Sequence, residues 1–248
     1  MSNLYGSELA KVFDKMYQGF IDYQEEYYFY KGFCEKFEKK SILEIGCGTG
    51  NLAPKFTSDF KSYLGLDFSE TMLSIAKEKF PLGEFQQADM TNFELSQKRD
   101  AVLITGRTTS YLFKNKDINN CFSSIGNALS KNGILIFDCI DASKFIPIIE
   151  QNNEIKHYST FENKNYFRDT KWFWEKEKEN FMINWDASYF EINAIENIFL
   201  GNDKVVFRVF TQCEIKLFLK QNNFEILEII DRKSYAFDTF VVVAQKKS

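Results

Sequence analysis

The sequence predicts an α/β fold: a mostly parallel sheet with helices on both faces, extended by an antiparallel β insert ahead of a C-terminal helix and strands. Three observations carry this. Ser41-Ile42-Leu43-Glu44-Ile45 is an apolar strand that runs straight into a turn with alternating glycines, Gly46, Gly48 and Gly50. Short apolar runs then alternate with segments of helical periodicity up to residue 150. Beyond that point the rhythm becomes period two, with aromatic enrichment.

Taken in order, Glu8 to Phe37 reads as a helical arm, and strands follow near 41–45, 62–66, 84–87, 100–105 and 133–138, with helices filling the gaps. Ser69 is a suitable N-cap for a helix that lays Met72, Leu73, Ile75 and Ala76 on one face. Ile118 to Leu129 has helical spacing, and Asn132-Gly133 separates it from the next strand. Lys164 to Trp174, Phe181 to Ile192 and Lys204 to Thr211 read as antiparallel strands, with Gly201-Asn202-Asp203 as a hairpin turn. Gln212 to Asn222 is a helix, Phe224 to Ile230 a strand, and Phe237 to Ala244 a last strand at the edge of the main sheet. The expected division is an arm (1–40), a core (41–150), an antiparallel insert (151–211) and a segment completing the core (212–248).

Composition narrows the class. A chain of 248 residues with 44% hydrophobic content can bury a sizeable core. Its five cysteines are scattered, without a C-x-x-C pair, so neither a disulfide framework nor a metal site is expected. No run approaches the ~20 apolar residues that span a bilayer, and Met1 to Asp14 lacks a secretion-signal pattern. A cytoplasmic setting without membrane contact is expected. The net charge of −4 and thinly spread cations argue against a nucleic-acid partner; Glu175 to Glu179 reads as a solvated charge run.

The glycine turn points to a ligand that touches bare backbone at a helix opening. A dinucleotide turn would place its third glycine one position later, where Asn51 stands, and Glu44 would repel a pyrophosphate. The same carboxylate suits an ammonium or a hydroxyl. Asp67 ends a second strand at the distance where such folds hold a ribose, and Asp89 ends a third, where it can accept from an exocyclic amino group while Met90 packs on a purine.

This ordered set, Glu44 to Gly50, Asp67 and Asp89-Met90, resembles the class I S-adenosylmethionine-dependent methyltransferases over roughly residues 35 to 145. The resemblance implies a Rossmann-like fold and S-adenosylmethionine as cofactor, with Phe68 and Met72 beside it. Tyr5-Gly6-Ser7-Glu8-Leu9-Ala10-Lys11-Val12-Phe13-Asp14, with Tyr17 and Asp22-Tyr23, is similar to the N-terminal arm of bacterial amino-sugar N-methyltransferases. That likeness implies an arm closed over the cofactor, Tyr5 facing the acceptor, Phe13 bordering the cofactor where relatives carry tyrosine, and Tyr23 bonding the methionyl carboxylate. It also implies Thr105 near the methionyl part, with Arg107, Thr108 and Thr109 around the substrate. Tyr111 stands where some relatives place a histidine and is the candidate catalytic residue; Arg107 replaces a small hydroxyl residue.

Other residues keep two readings. Trp172, Trp174 and Trp185 either fill the insert's core or stack on a ligand. Arg208 either grips a phosphate or carboxylate of the substrate or pairs with an acid such as Glu191, and Arg168 and Lys171 are of the same kind. The single histidine, His157, lies in a polar stretch and is expected on the surface. The functional expectation is methyl transfer to a small-molecule amine. Transfer to oxygen or carbon of another metabolite, and cofactor binding without turnover, are the alternatives. The insert is a candidate surface for pairing two subunits.

Overall fold

A computed structural model describes residues 7–174, 180–234 and 236–247, excepting the side chains of residues 7–9 and Phe13. Tyr5, the side chain of Phe13 and the charge run at 175–179 lie outside the described residues.

The arm is two helices, α1 (Ser7–Phe20) and α2 (Tyr23–Lys36), where one was expected. The chain breaks at Asp22, whose carboxylate caps the second helix by accepting from the amides of Gln24 and Glu25 at 2.8 and 3.0 Å. The core continues as β1 (Ser41–Ile45), α3 (Ala53–Asp59), β2 (Ser62–Asp67), α4 (Glu70–Lys79), β3 (Phe85–Gln87), β4 (Arg99–Ile104), α5 (Asn115–Ala128), β5 (Leu129–Ile140) and α6 (Ala142–Gln151). The insert comprises β6 (Glu154–Phe161), β7 (Lys164–Trp174), β8 (Phe181–Ile192) and β9 (Asn197–Val209). Then come α7 (Gln212–Gln221), β10 (Phe224–Lys233) and β11 (Asp238–Lys246). No helix among the described residues is long and apolar enough to cross a membrane.

The main sheet runs β10-β11-β5-β4-β1-β2-β3. Since β1 has parallel neighbours on both sides, β2 and β4, the strand order reverses there and the carboxyl ends open a crevice. Helices cover both faces, so the central strands are apolar on both. Leu43, Val102 and Ile104 face Phe122 of α5 and Phe218 of α7. Ile42, Ala101 and Leu103 face Tyr30 of α2 and Phe56 of α3. Strand alternation puts Glu44 on the side of Ile42. A third core joins Trp172, Trp185 and Phe207 of the insert to Phe145 of α6 and to Met16 and Tyr17 of α1. The insert leaves and rejoins the sheet at one place: Phe210 N–H donates to the Ile140 carbonyl at 3.0 Å, and Ala142 N–H to the Phe210 carbonyl at 2.9 Å.

Several expectations are corrected. β6 forms in the stretch read as polar, because its buried Ser159 and half-buried Ile155, His157 and Phe161 alternate with exposed residues too mixed in chemistry to stand out. Gly201-Asn202-Asp203 is not a turn but part of β9; Gly201 lies opposite Tyr189, where the register shifts and spares Leu200 a partner. Asn132 and Gly133 lie within β5, since Leu129 already pairs with Arg99. β11 is enclosed between β5 and β10, leaving β10 at the edge.

Candidate functional site

The strand ends and the inner face of the insert border one cavity of about 1420 Å³. Its floor is the turn after β1. Gly46 and Cys47 both donate their amides to the Leu66 carbonyl, at 2.7 and 3.0 Å, which folds the turn over the end of β2. Gly46 has φ +72°, and a Cβ there would stand 2.5 Å from the Thr108 side chain. Gly48, at φ +53°, faces open space, so a ligand can reach its backbone. Gly50, at φ +73°, packs beside Ala76 and Phe85, where a Cβ would stand 3.1 Å from each, and it is not among the residues lining the cavity.

Asp67 fixes this turn from β2. Its Oδ2 accepts from Gly48 N–H and its Oδ1 from Ser69 N–H, both at 2.8 Å. Burial raises its pKa, and those amides oppose the rise. A carboxylate offers about four acceptor sites, so lone-pair capacity remains at Asp67 for a ligand hydroxyl. Glu44 is buried and accepts from the Tyr63 hydroxyl at 2.6 Å and the Thr105 hydroxyl at 3.2 Å. Burial outweighs both bonds and pushes its carboxyl up to about 7. A cation entering beside it would draw the proton off.

Phe68 is 58% exposed and lines the cavity, as does Met72, which is buried beside Ala10 of α1 and Ile75 of α4. Met90 borders the cavity and packs on the main core. Asp89 holds Thr91 through one oxygen, which accepts from its amide and hydroxyl at 2.8 Å each. An exposed ring, a turn left open at Gly48 by the missing Cβ and a carboxylate at the end of β2 form a lining that fits an adenosyl group and a methionyl tail.

Across the cavity, Gly106 and Arg107 both take φ +65° before a short 3-10 turn at Thr108–Tyr111. The Thr108 hydroxyl donates to the Thr105 carbonyl at 2.9 Å. Thr109 is buried and spends its hydroxyl on the Asp138 carbonyl at 2.6 Å, so it pins the turn to β5 rather than surrounding a substrate. Arg107 lines the cavity, with its guanidinium 5.7 Å from the Phe237 ring. Tyr111 is half-buried between the cavity and the insert's core, and Tyr23 lines the cavity from the start of α2.

The insert supplies the far wall. Trp172 and Trp185 stack 5.8 Å apart and are buried in its core, as the core-filling reading expects, and both border the cavity. Arg168, also buried, donates to the Tyr17 hydroxyl at 2.8 Å and lies 3.2 Å from His157 Nδ1. His157 is therefore not the surface residue expected; burial, then the Arg168 charge, push it down to about 4. Arg208 does not reach the cavity. Beside the Ile140–Phe210 tie, alternation turns it toward α7, where it pairs with Glu214 and donates to Asn115, both at 2.9 Å. Glu191 pairs instead with Lys164 at 3.0 Å, and Lys171 with Glu154 at 2.6 Å.

A cluster with no counterpart among the sequence expectations fastens α1 over the glycine turn. Asp14 accepts from the Thr49 hydroxyl at 2.5 Å, the Lys79 ammonium at 2.7 Å and the Asn51 amide at 3.3 Å. Its signal is a carboxylate at helical spacing between Ala10 and Tyr17, on the buried face of the arm. Asp138 carries a similar signal, an acid near the end of β5 that repeats the pattern of Glu44 and Asp67.

Residues 42–133 match a family model described as a methyltransferase domain. That stretch, from β1 into β5, is similar in sequence to a methyltransferase domain. A putative methyltransferase of Geobacillus sp. (strain WCH70) is 37% identical over 103 residues, 40% of this chain and 42% of that protein. The dTDP-3-amino-3,4,6-trideoxy-alpha-D-glucopyranose N,N-dimethyltransferase of Streptomyces venezuelae is 31% identical over 101 residues, 41% of this chain and 43% of that one. The matched segments thus span less than half the length of these curated relatives. The crystal structure of S-adenosylmethionine-bound CalS10, an amino pentose methyltransferase from Micromonospora echinaspora, shares the fold, with a TM-score of 0.80 at 17% identity over 95% of this chain and 97% of that one. The described fold is that of the S-adenosylmethionine-dependent methyltransferases.

Proposed function

We propose that this protein transfers a methyl group from S-adenosylmethionine to a nitrogen of a small acceptor, with nucleotide-linked amino sugars as the acceptor class. The observation that carries this reading is the convergence of Gly48, open where a Cβ would stand, with Asp67 and Glu44 on a cavity whose opposite wall is the insert. Asp67 would take the ribose hydroxyls, Asp89 the exocyclic amino group, and Phe68 and Met90 the faces of the purine. Glu44, Thr105 and Tyr23 would hold the methionyl end. When bound, the sulfonium makes its methyl carbon electrophilic and provides its own leaving group.

The chain's own task is then positioning. In this reading the 1–40 unit, through α1 and α2, would cover the cavity, 41–150 would hold the donor, the insert strands of 151–211 would wall the acceptor, and α7, β10 and β11 of 212–248 would complete the core. In this arrangement Tyr111, Thr108 and Arg107 border the place where acceptor meets donor, and excluding water there lets alignment supply much of the rate. The amine reading draws on the two relatives named for amino-sugar methylation.

The aromatic ladder Tyr158, Phe167, Phe190 and Phe199 crosses the outer face of the insert with ring spacings of 5.9, 4.6 and 5.5 Å, and serves in this reading as the face where two copies pair. A monomer mass by light scattering at every concentration would dismiss that pairing.

Calorimetric titration tests the donor, and mass spectrometry of S-adenosylhomocysteine release over a panel of nucleotide-linked amino sugars tests the acceptor. One donor bound per chain and turnover on an amine are expected. A protein that binds neither S-adenosylmethionine nor its product refutes the donor reading. One that binds both and methylates no amine refutes the acceptor reading.

A further inference from the structure

Acids at four strand ends border the cavity, and one of them takes no part in the donor grip. Glu44, Asp67 and Asp89 belong to the side of the glycine turn. Asp138 follows Phe137, which pairs with Ile104, so it stands beside Thr105 where the two halves of the cavity meet. It is 7% exposed and lines the cavity. Its Oδ1 accepts the Arg107 N–H at 2.8 Å. Its Oδ2 makes no hydrogen bond among the described residues, and the residue borders the cavity.

The groups facing Asp138 are Arg107 from the loop after β4, Glu26 and Tyr30 from α2, Arg232 from β10 and the adjacent thiol of Cys139. Glu26 is committed to Arg232 in an ion pair at 2.9 Å, and the Tyr30 hydroxyl is buried. Burial is the strongest influence and lifts the Asp138 carboxyl to about 6, opposed by the charge and amide of Arg107. Glu26 adds to the rise and Arg232 works against it. Asp138 is thus ionised at neutral pH yet close enough to neutrality to carry a proton. His157, the one imidazole of the chain, is engaged with Arg168 on the insert.

We propose that Asp138 is the catalytic carboxylate of the acceptor half, receiving the acceptor's ammonium and taking one of its protons, a role that rests on the amine reading above. The N–H bond breaks as the proton passes to Oδ2. The freed nitrogen lone pair forms the new bond to the methyl carbon as the carbon–sulfur bond breaks, and that bond's electron pair stays on sulfur. The methylated acceptor leaves as an ammonium, and Asp138 returns its proton to water.

Asp138→Asn keeps an acceptor for the Arg107 amide and removes the base. The test compares wild type, Asp138→Asn and Asp138→Glu in steady-state methylation of dTDP-3-amino-3,4,6-trideoxy-alpha-D-glucopyranose across pH 5 to 9. S-adenosylhomocysteine affinity is measured calorimetrically on the same samples. The wild-type kcat should rise through an acid limb near pH 6. Asp138→Asn should lose about 100-fold in kcat together with that limb, with cofactor affinity unchanged, and Asp138→Glu should recover part of the rate. An Asn variant that keeps the wild-type kcat and pH profile overturns the role of Asp138 and leaves the amine reading standing. A variant that loses cofactor affinity while the acid limb persists overturns it as well. Wild-type protein that binds S-adenosylhomocysteine but does not methylate this amine overturns the amine reading, and the proton transfer with it.

Discussion

The halves of the cavity proposed for the donor and for the acceptor are built by different means. On the donor side the decisive bonds are local: Gly48 to Asp67 and Tyr63 to Glu44 each span 19 positions. Backbone amides do much of the holding there. On the acceptor side, side chains meet across the chain, as Tyr17 and Arg168 do over 151 positions. Backbone geometry that a turn imposes is insensitive to distant substitutions, whereas a wall made of packed side chains changes with each of them. The donor grip should therefore survive changes that remodel the acceptor wall.

The largest expected effect probes that independence. Trp172 stacks on Trp185 and meets Phe145, Phe207 and Phe237 edge-on, at 5.4, 5.6 and 5.2 Å. Trp172→Ala should lower stability by ~3–5 kcal/mol in urea unfolding. The fraction that stays folded should still bind S-adenosylhomocysteine with wild-type affinity, and a parallel loss of affinity would show that the halves are coupled. Next, Asp67→Ala removes the acceptor of two turn amides along with the expected hydroxyl contacts, and should weaken cofactor binding by ~2–3 kcal/mol in calorimetry. Unchanged affinity would take Asp67 out of the donor site.

A pH titration sharpens the contrast further. The Glu44 carboxyl lies at about 7 in the folded protein against an ordinary 4.5. The stability linked to it is complete below pH 4.5 and is lost as pH rises through 7, so the free protein should soften over that window. A cationic donor reverses the demand, and its affinity should climb over the same window, then level off. Glu44→Gln should flatten both curves. The smallest effect is expected from Asp14→Asn, which weakens the clasp of α1 on Thr49 and Lys79 and should reduce cofactor affinity by ~0.5–1 kcal/mol. Equal affinity for the two proteins would leave the arm without influence on the donor.

The same contrast decides what the sequence made legible. The parallel core, the glycine turn and the strand-end acids follow from short spacings, and β1, β7 and β8 lie at the expected bounds. The fate of Arg208 does not, since it depends on the Ile140–Phe210 tie that turns the end of β9 toward α7. His157 looked exposed because the neighbours that bury it, Arg168 and Phe20, come from other elements. Gly201 resembled a turn because a glycine beside Asn and Asp also suits a bulge, and only the partner strand distinguishes the two. Asp14 and Asp138 were readable in principle, one from helical spacing and the other from the strand-end pattern.

The tie at Phe210 has a consequence for how this architecture diversifies. Phe210, after β9, is tied by two hydrogen bonds to the end of β5 and the start of α6, at Ile140 and Ala142, so the stretch between α6 and Phe210 closes on one corner of the main sheet. A foreign segment spliced between those anchors would inherit closed ends, and its length would add little to the cost of closure. Chimaeras that exchange this cassette should retain the core's grip while acquiring a new appetite.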